Sequence, residues 1–429
     1  MTRRTIRSEI LARVEGEGAM DIVIADGAVE DVRLRIYEPP RFFEAFLRGR
    51  AFTEVPDITA RICGICPVAY QVSSMLAMED ACGVDVGEPI RLLRRLLYCG
   101  EWIESHALHV HLLHAPDFLG YDGAVAMAAD HRDVVERGLQ LKKAGNALMR
   151  AIGGREVHPI NVRVGGFHRA PRRDELQPLL DPLRRALETA LEDVRWTAGF
   201  ALPDFGQVVE HVALCDPREY AIDRGRIVSD RGLDVTVEDF GEHLVESHVP
   251  HSTALQGALR ERGAYLTGPL ARYALSSDRL RPVAREAAEA AGLGPVVANP
   301  FRSIVVRCVE VVQALDEAIA LIEAYEPPDP PFVEVTPRRA VGHGATEAPR
   351  GVCWHRYEID DDGTVLDARI VPPTSQNQRQ IEADLHAFVQ AHVDLDDEAL
   401  RHRCEQAIRN YDPCISCATH FLDLRVERR

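Results

Sequence analysis

The sequence predicts a mainly α protein with small β parts. Long apolar stripes at helical spacing fill the middle of the chain, and a β-rich run with an Asp-Gly turn lies toward each end. No internal repeat or low-complexity tract interrupts this pattern. With 429 residues, 46% of them hydrophobic, the chain is long enough for a large buried core. Length alone allows two or three domains or one large one. The pattern favours one unit, 1–429, made of a β-rich N-terminal part (1–60), a helical body (61–325) and a closing C-terminal part (326–429).

Residues 20–37, "MDIVIADGAVEDVRLRIY", read as a hairpin, with two β-rich runs flanking Asp26-Gly27. After Cys66 the period turns helical, with apolar residues at i, i+3, i+4 near 68–82, 88–115, 130–152 and 174–199. The clearest helix is 301–325, where Ile304, Cys308, Val311, Leu315, Ile319 and Ile322 form one broad stripe. Such a width predicts burial among other helices. "EPPDPPFVEVTPRR" (326–339) ends that helix as a Pro-rich connector. A second hairpin, "WHRYEIDDDGTVLDARIV" (354–371), turns at Asp-Asp-Gly, and a last helical stretch covers 376–410.

Charge and motifs exclude several function classes. Fifty Lys and Arg face 67 Asp and Glu, a net charge of −17, which argues against nucleic acid or an anionic membrane as partner. No apolar run reaches the roughly 18 residues of a membrane span. The opening "MTRRTIRSEILARVEGEG" lacks the apolar stretch of a signal peptide, so the expected location is the cytosol. "GEGAMD" (16–21) and "GHGATE" (342–347) contain G-x-G without a third glycine, and no G-x-x-x-x-G-K occurs. Neither meets the context of a dinucleotide fingerprint. A nicotinamide cofactor, if used, belongs to another polypeptide.

The chemistry sits in two C-x-x-C pairs, Cys63/Cys66 in "RICGICPVAY" (61–70) and Cys414/Cys417 in "DPCISCATHF" (412–421). The other six cysteines, Cys82, Cys99, Cys215, Cys308, Cys353 and Cys404, stand alone and suit core packing. Four thiolates fit structural zinc or iron–sulfur chemistry, and one pair could be a redox dithiol. The dithiol lacks its usual βαβ context, and zinc ribbons space their pairs about 15–20 residues apart. These pairs lie at opposite ends of the chain.

Around the cysteines stand "RVEG" (13–16), "RFFEAFLRGR" (41–50), "GGREVHP" (153–159), "EAPRG" (347–351) and "VPPTSQN" (371–377). With R-x-C-G-x-C and D-P-C-x-x-C-x-x-H, they make the whole chain closely resemble the large subunit of nickel–iron hydrogenases. The resemblance is to the cytosolic, NAD(P)-linked hydrogenase and sulfhydrogenase class. It implies a helical core with hairpins near both ends and reversible heterolytic oxidation of H₂. Cys63 and Cys414 would be terminal nickel ligands. Cys66 and Cys417 would bridge nickel to an iron carrying two cyanides and one carbon monoxide. Soft thiolates suit both metals. The resemblance further implies a Mg²⁺ held by Glu44, His420 and the backbone carbonyl of Ile370. Glu15 would relay the proton from Cys414, Arg350 would act as or hold a general base over the metals, and the Thr374 hydroxyl would donate to a cyanide nitrogen. Implied partners are an iron–sulfur small subunit and flavin/iron–sulfur diaphorase subunits. In the family the chain is commonly clipped just after the histidine matching His420.

"ESHALHVHLLHAP" (104–116) offers His106, His109, His111 and His114. On an α-helix these alternate between faces, so they cannot converge on one ion. His109 is instead expected to make contacts around the cofactor. Ser105 stands where many membrane-bound relatives have an aspartate. Two other readings are a quinone-reductase-related subunit, whose relatives lack the cysteine pairs, and a non-catalytic subunit with structural zinc.

Overall fold

The computed structural model of the chain describes residues 3–419. His420 and the tail 421–429 lie outside the described residues. The hairpin expected at 20–37 forms as β2 (Gly18–Ala25) and β3 (Ala28–Ile36). Its two-residue turn needs positive φ at both positions, and Asp26 (φ 51) and Gly27 (φ 80) supply it. β1 (Arg3–Ser8) adds a third, antiparallel strand to β2. "RRTIRS" carries a single apolar residue, Ile6, so alternation did not reveal this strand.

The helical body is built from α1 (Pro67–Cys82), α2 (Gly87–Leu108), α3 (Arg132–Gly153) and α4 (Leu180–Ala198). α2 and α3 touch backbone to backbone. A Cβ at Gly145 of α3 would lie 2.5 Å from the Gly100 carbonyl oxygen and 2.8 Å from the Glu104 nitrogen of α2. Gly145→Ala therefore forces the two helices apart. It should cost about 1–3 kcal/mol, seen as a lowered thermal midpoint. An unchanged midpoint would mean that α2 and α3 are free to separate.

Beyond Leu108, α2 does not stay α-helical. His109–His114 form a wider π-type turn before the helix resumes at Ala115–Leu119. This local change of period is invisible to an i, i+3, i+4 count.

The region 61–325 departs from an all-helical body. Residues 212–259 hold β4 (Val212–Cys215), β5 (Arg226–Ser229), β6 (Asp234–Val235), β7 (Leu244–Val249) and β8 (Ser252–Leu259). They are short and join different sheets, β4-β5-β6 and β7-β8, so no window carries a strong period-2 signal. Val212, Leu214, Ile227 and Leu244 build a second small core with Trp354 and Val371. α5 (Ser303–Glu323) is buried on nearly every face over its first four turns, as its broad stripe predicts.

After the connector, β9 (Ala340–Ala348), β10 (Gly351–Ile359) and β11 (Val365–Val371) form an antiparallel sheet. β10 and β11 are the expected second hairpin. β9 explains "GHGATE". A Cβ at Gly342 would come within 2.0 Å of the Ala77 carbonyl, and one at Gly344 within 2.2 Å of the Ser73 carbonyl. These glycines lay the strand flat on α1, a packing role that accounts for the G-x-G spacing. The stretch 376–410 is two helices, α6 (Pro373–Ala391) and α7 (Asp397–Arg409). The break ends at Asp396, whose carboxylate caps α7 by accepting the Ala399 N–H at 2.8 Å. α8 (Ile415–Ala418) is the last described element. No helix among the described residues is long and apolar enough to cross a membrane.

Candidate metal centre

Cys66 immediately precedes α1, with Pro67 at the first helical position. From α2, the buried Glu101 carboxylate accepts the Val68 N–H at 2.6 Å and the Ala69 N–H at 3.1 Å. It thereby satisfies two of the open amides of the α1 terminus and fixes where Cys66 stands. Cys63 is extended, and its Sγ accepts from the amides of Ile65 and Cys66 at 3.3 and 3.4 Å.

The C-terminal pair is delivered by threading its segment into the core. Glu15 and Cys414 form a parallel bridge, and the Ile415 N–H donates to the Glu15 carbonyl at 2.9 Å. The Cys414 N–H donates to Thr374 Oγ1 at 3.0 Å, which leaves the threonine's own hydrogen for another acceptor. The result is one cluster. Cys63 Sγ lies 3.5 Å from Cys414 Sγ, Cys66 Sγ 3.7 Å from Cys417 Sγ, and Cys414 Sγ 2.8 Å from Cys417 Sγ. All four sulfurs fall within 4.8 Å of one another, buried and not joined as disulfides.

Four buried thiols so close cannot ionise independently. Hydrogen bonds from Cys414, Cys417 and Cys66 pull Cys63 well below the usual thiol range, whereas burial pushes Cys414 well above it. Soft donors gathered this closely suit a thiophilic cation, which would hold them as thiolates and offset their mutual repulsion. Among the described residues no other group of three or more His, Cys, Asp or Glu converges in this way.

One cation faces the cluster. Arg350 is buried, donates from Nε to the Asp412 carbonyl at 2.8 Å, and pairs through Nη2 with Asp412 Oδ2 at 3.0 Å. Its Nη1 reaches Ser105 Oγ at 3.4 Å. Burial works against its charge, but Asp412 and the thiols of Cys414, Cys66 and Cys63 outweigh that and hold it protonated. Asp412 was missed as a site residue, although it opens the D-P-C signature. Its backbone adopts φ 50, which turns both its carbonyl and its carboxylate toward Arg350.

Glu15 stands on another side. Its Oε2 lies 3.0 Å from Cys414 Sγ and accepts the Ser416 N–H at 3.0 Å. Burial, followed by the charge on Cys63, raises its pKa above the usual carboxylate range. Glu44 and Ile370 also meet, from 326 positions apart: Glu44 Oε1 accepts the Ile370 N–H at 2.8 Å. His420 lies outside the described residues.

The histidines go elsewhere. The π turn brings the rings of His109 and His114 to 5.0 Å, yet His109 Nε2 bonds the Arg409 carbonyl at 2.8 Å and lies 4.0 Å from Asp412 Oδ1. His106 Nε2 meets Glu310 Oε2 at 2.9 Å, and His111 meets Asp193 at the same distance. Three of the histidines thus serve separate polar partners, His114 makes only ring contacts with His109 and Phe118, and His109 meets the Asp412 side of the site.

The nickel-dependent hydrogenase profile matches residues 41–148 and 270–420, which include all four clustered cysteines. The chain belongs to the nickel-dependent hydrogenase family. The hydrogenase is 34% identical to sulfhydrogenase 2 subunit alpha of Pyrococcus furiosus, over 98% of this chain and 100% of that one. It is 28% identical to the NAD-reducing hydrogenase HoxS subunit beta of Cupriavidus necator, over 98% and 96% of the two chains. A solved NAD⁺-reducing [NiFe]-hydrogenase in the H₂-reduced state superposes with a TM-score of 0.88 at 28% identity, covering 97% of this chain and 99% of the other. The fold is that of a hydrogenase large subunit, and the chain is an oxidoreductase of that class.

Proposed function

We propose that the hydrogenase oxidises H₂ reversibly at a nickel–iron centre held by Cys63, Cys66, Cys414 and Cys417. The buried four-thiol cluster carries this reading, since its softness and proximity suit a binuclear thiolate site. Cys63, Cys66, Cys414 and Cys417 would together hold the nickel and its partner iron, their thiolates supplying the soft donors that both metals take. When bound, the centre supplies two adjacent soft metals at which H₂ divides heterolytically. Cys414 Sγ holds the proton, and Glu15 Oε2, 3.0 Å away, accepts it. The raised pKa of Glu15 matches a group that must both take and release a proton.

Arg350, held by Asp412 and Ser105, keeps a fixed positive charge over the thiolates. A guanidinium keeps its protons in proteins, so Arg350 stabilises charge and any base in that position is its partner Asp412. The Thr374 hydroxyl, which accepts the Cys414 amide through its oxygen, would have its own hydrogen free to donate to a ligand of the bound centre. Glu44 and the Ile370 carbonyl, with His420 outside the described residues, would hold a Mg²⁺ ion. His109 supports the Asp412 side of the site. The chain works as one domain, 1–429, closed by its C-terminal part.

Electrons leave through partners. All four C-x-x-C cysteines are committed to the cluster, and no dinucleotide fingerprint occurs in the chain. The similarity to NAD-reducing hydrogenases supports an iron–sulfur small subunit, flavin-containing diaphorase subunits and a cytoplasmic NAD(P) pool as acceptor.

Metal analysis of the anaerobically purified complex tests the reading. Nickel is expected in one-to-one proportion to this chain, with iron present in the large subunit and no zinc. Zinc without nickel would identify a structural site instead.

A further inference from the structure

The apolar stripe explains why α5 is buried, but not why Arg307 in its second turn is buried with it, at 1% exposure. Among the described residues its guanidinium makes one hydrogen bond and no ion pair. Nη1 donates to the Asn410 carbonyl at 2.9 Å, and Nε has no partner. A buried cation without an ion pair is costly to keep in a core. We propose that Arg307, together with Ser303, is a positioning residue that sets the Asp412–Arg350 pair over the thiols. The inference rests on the reading of Arg350 as the fixed charge at the site.

The need arises in the D-P-C signature. α7 ends in a tightened turn, where the amides of Tyr411 and Asp412 donate to the carbonyls of Ile408 and Arg409, each at 3.1 Å. The next carbonyl, that of Asn410, would look for its donor three or four residues on. Residue 413 is proline and has no N–H. The Cys414 N–H is already committed to Thr374 Oγ1. Ser303 and Arg307, one turn apart on α5, supply what is missing. Ser303 Oγ donates to the Asn410 carbonyl at 2.7 Å, beside Arg307 Nη1. A cation also suits the negative end of the α7 dipole.

The clamp bears on Asp412. This residue adopts φ 50, a left-handed conformation that a non-glycine residue holds only where its surroundings enforce it. Tyr411 and Asp412 are bracketed by two held carbonyls, Asn410 by α5 and Asp412 by Arg350 Nε at 2.8 Å. One residue earlier, the Arg409 carbonyl takes His109 Nε2 at 2.8 Å, and the Arg409 guanidinium pairs with the buried Asp117 at 2.6 and 2.8 Å. Asn410 is therefore the point at which α5 fixes the direction of the turn, and the turn aims the Asp412 carboxylate at Arg350. Charge links the same groups. Burial works against the Arg307 cation, and Asp412 is the acid that opposes this most. Asp412 is thus shared between two cations, Arg350 by contact and Arg307 through space.

The test uses the nickel-loaded multi-subunit enzyme. Arg307→Met should keep nickel and lower H₂/D⁺ exchange about 10²-fold, the effect of displacing a site group by about 1 Å. Arg307→Lys keeps a cation that can donate to the Asn410 carbonyl, and it should recover most of that loss. Ser303→Ala leaves Arg307 on the carbonyl and should lose less than Arg307→Met. The electron paramagnetic resonance g values of the bound nickel, read without turnover, should shift in Arg307→Met and return toward wild type in Arg307→Lys. A role in packing alone would lower the thermal midpoint and leave the g values unmoved. In an Asp412→Asn background Arg307→Met should add little further loss, because it acts through Asp412. If Arg307→Met fails to load nickel, Ser303→Ala decides by the same two readouts, and wild-type values of both overturn the inference. Wild-type exchange and g values in metal-loaded Arg307→Met, with Arg350→Met slowed, overturn the positioning role. Wild-type exchange in Arg350→Met overturns instead the reading on which it rests.

Discussion

Cys414→Ala and Cys66→Ala are each expected to abolish nickel retention and, with it, H₂-dependent dye reduction. Each removes one of four sulfurs that lie within 4.8 Å of one another. Cys414 is the more exposed to consequence, because its Sγ is also the contact of Glu15 and the neighbour of both Cys63 and Cys417. Loss of Cys66 removes the sulfur that faces Cys417 and empties the position set by Glu101 at the α1 terminus. Cys404→Ala serves as the control. Cys404 is equally buried but sits in the apolar core on α7, so its loss should cost stability and spare nickel. Nickel content by mass spectrometry and dye reduction under H₂ give the result. A Cys414→Ala enzyme with full nickel and normal turnover would remove the thiolate assignment.

Glu15→Gln has the next largest effect, and it separates proton handling from metal binding. The amide occupies nearly the same volume and can still accept the Ser416 N–H, so the C-terminal segment stays in place. What it cannot do is take a proton from Cys414 Sγ and pass it on. Exchange of H₂ with D⁺ should fall by about 10²–10⁴-fold, with nickel and iron unchanged. Glu15→Asp keeps the acid at shorter reach and should lose less. The raised pKa of Glu15 comes first from burial and then from Cys63, so its carboxyl stays protonated to higher pH than an exposed glutamate. Near-normal exchange in the Gln variant would mean that the proton leaves Cys414 by another path.

Much of the fold was legible because its long elements repeat a period. α1, α3 and α5, and the two hairpins with Asp-Gly turns, start and stop within a few residues of where spacing and turn chemistry put them. The failures share a cause, which is that the deciding signal was short or not local. β1 has one inward apolar residue, the strands between 212 and 259 are two to eight residues long, and the π turn at His109–His114 changes period for a single turn. Asp396 ends one helical pattern and caps another, and it reads as an ordinary polar residue until the cap is seen.

The two C-x-x-C pairs, and the signatures around them, were enough for the sequence to determine the class of chemistry, since thiol spacing and residue type are properties of the chain itself. Nothing in the chain says that Cys63 and Cys414 should lie 3.5 Å apart, that Asp412 should hold Arg350, or that Ser416 should face both Glu15 and Glu38. Most of those relations join residues far apart in the sequence. They exist only because α1, α6 and the Glu15 strand close around the C-terminal segment, and contacts of that kind are set by packing, which no local pattern encodes.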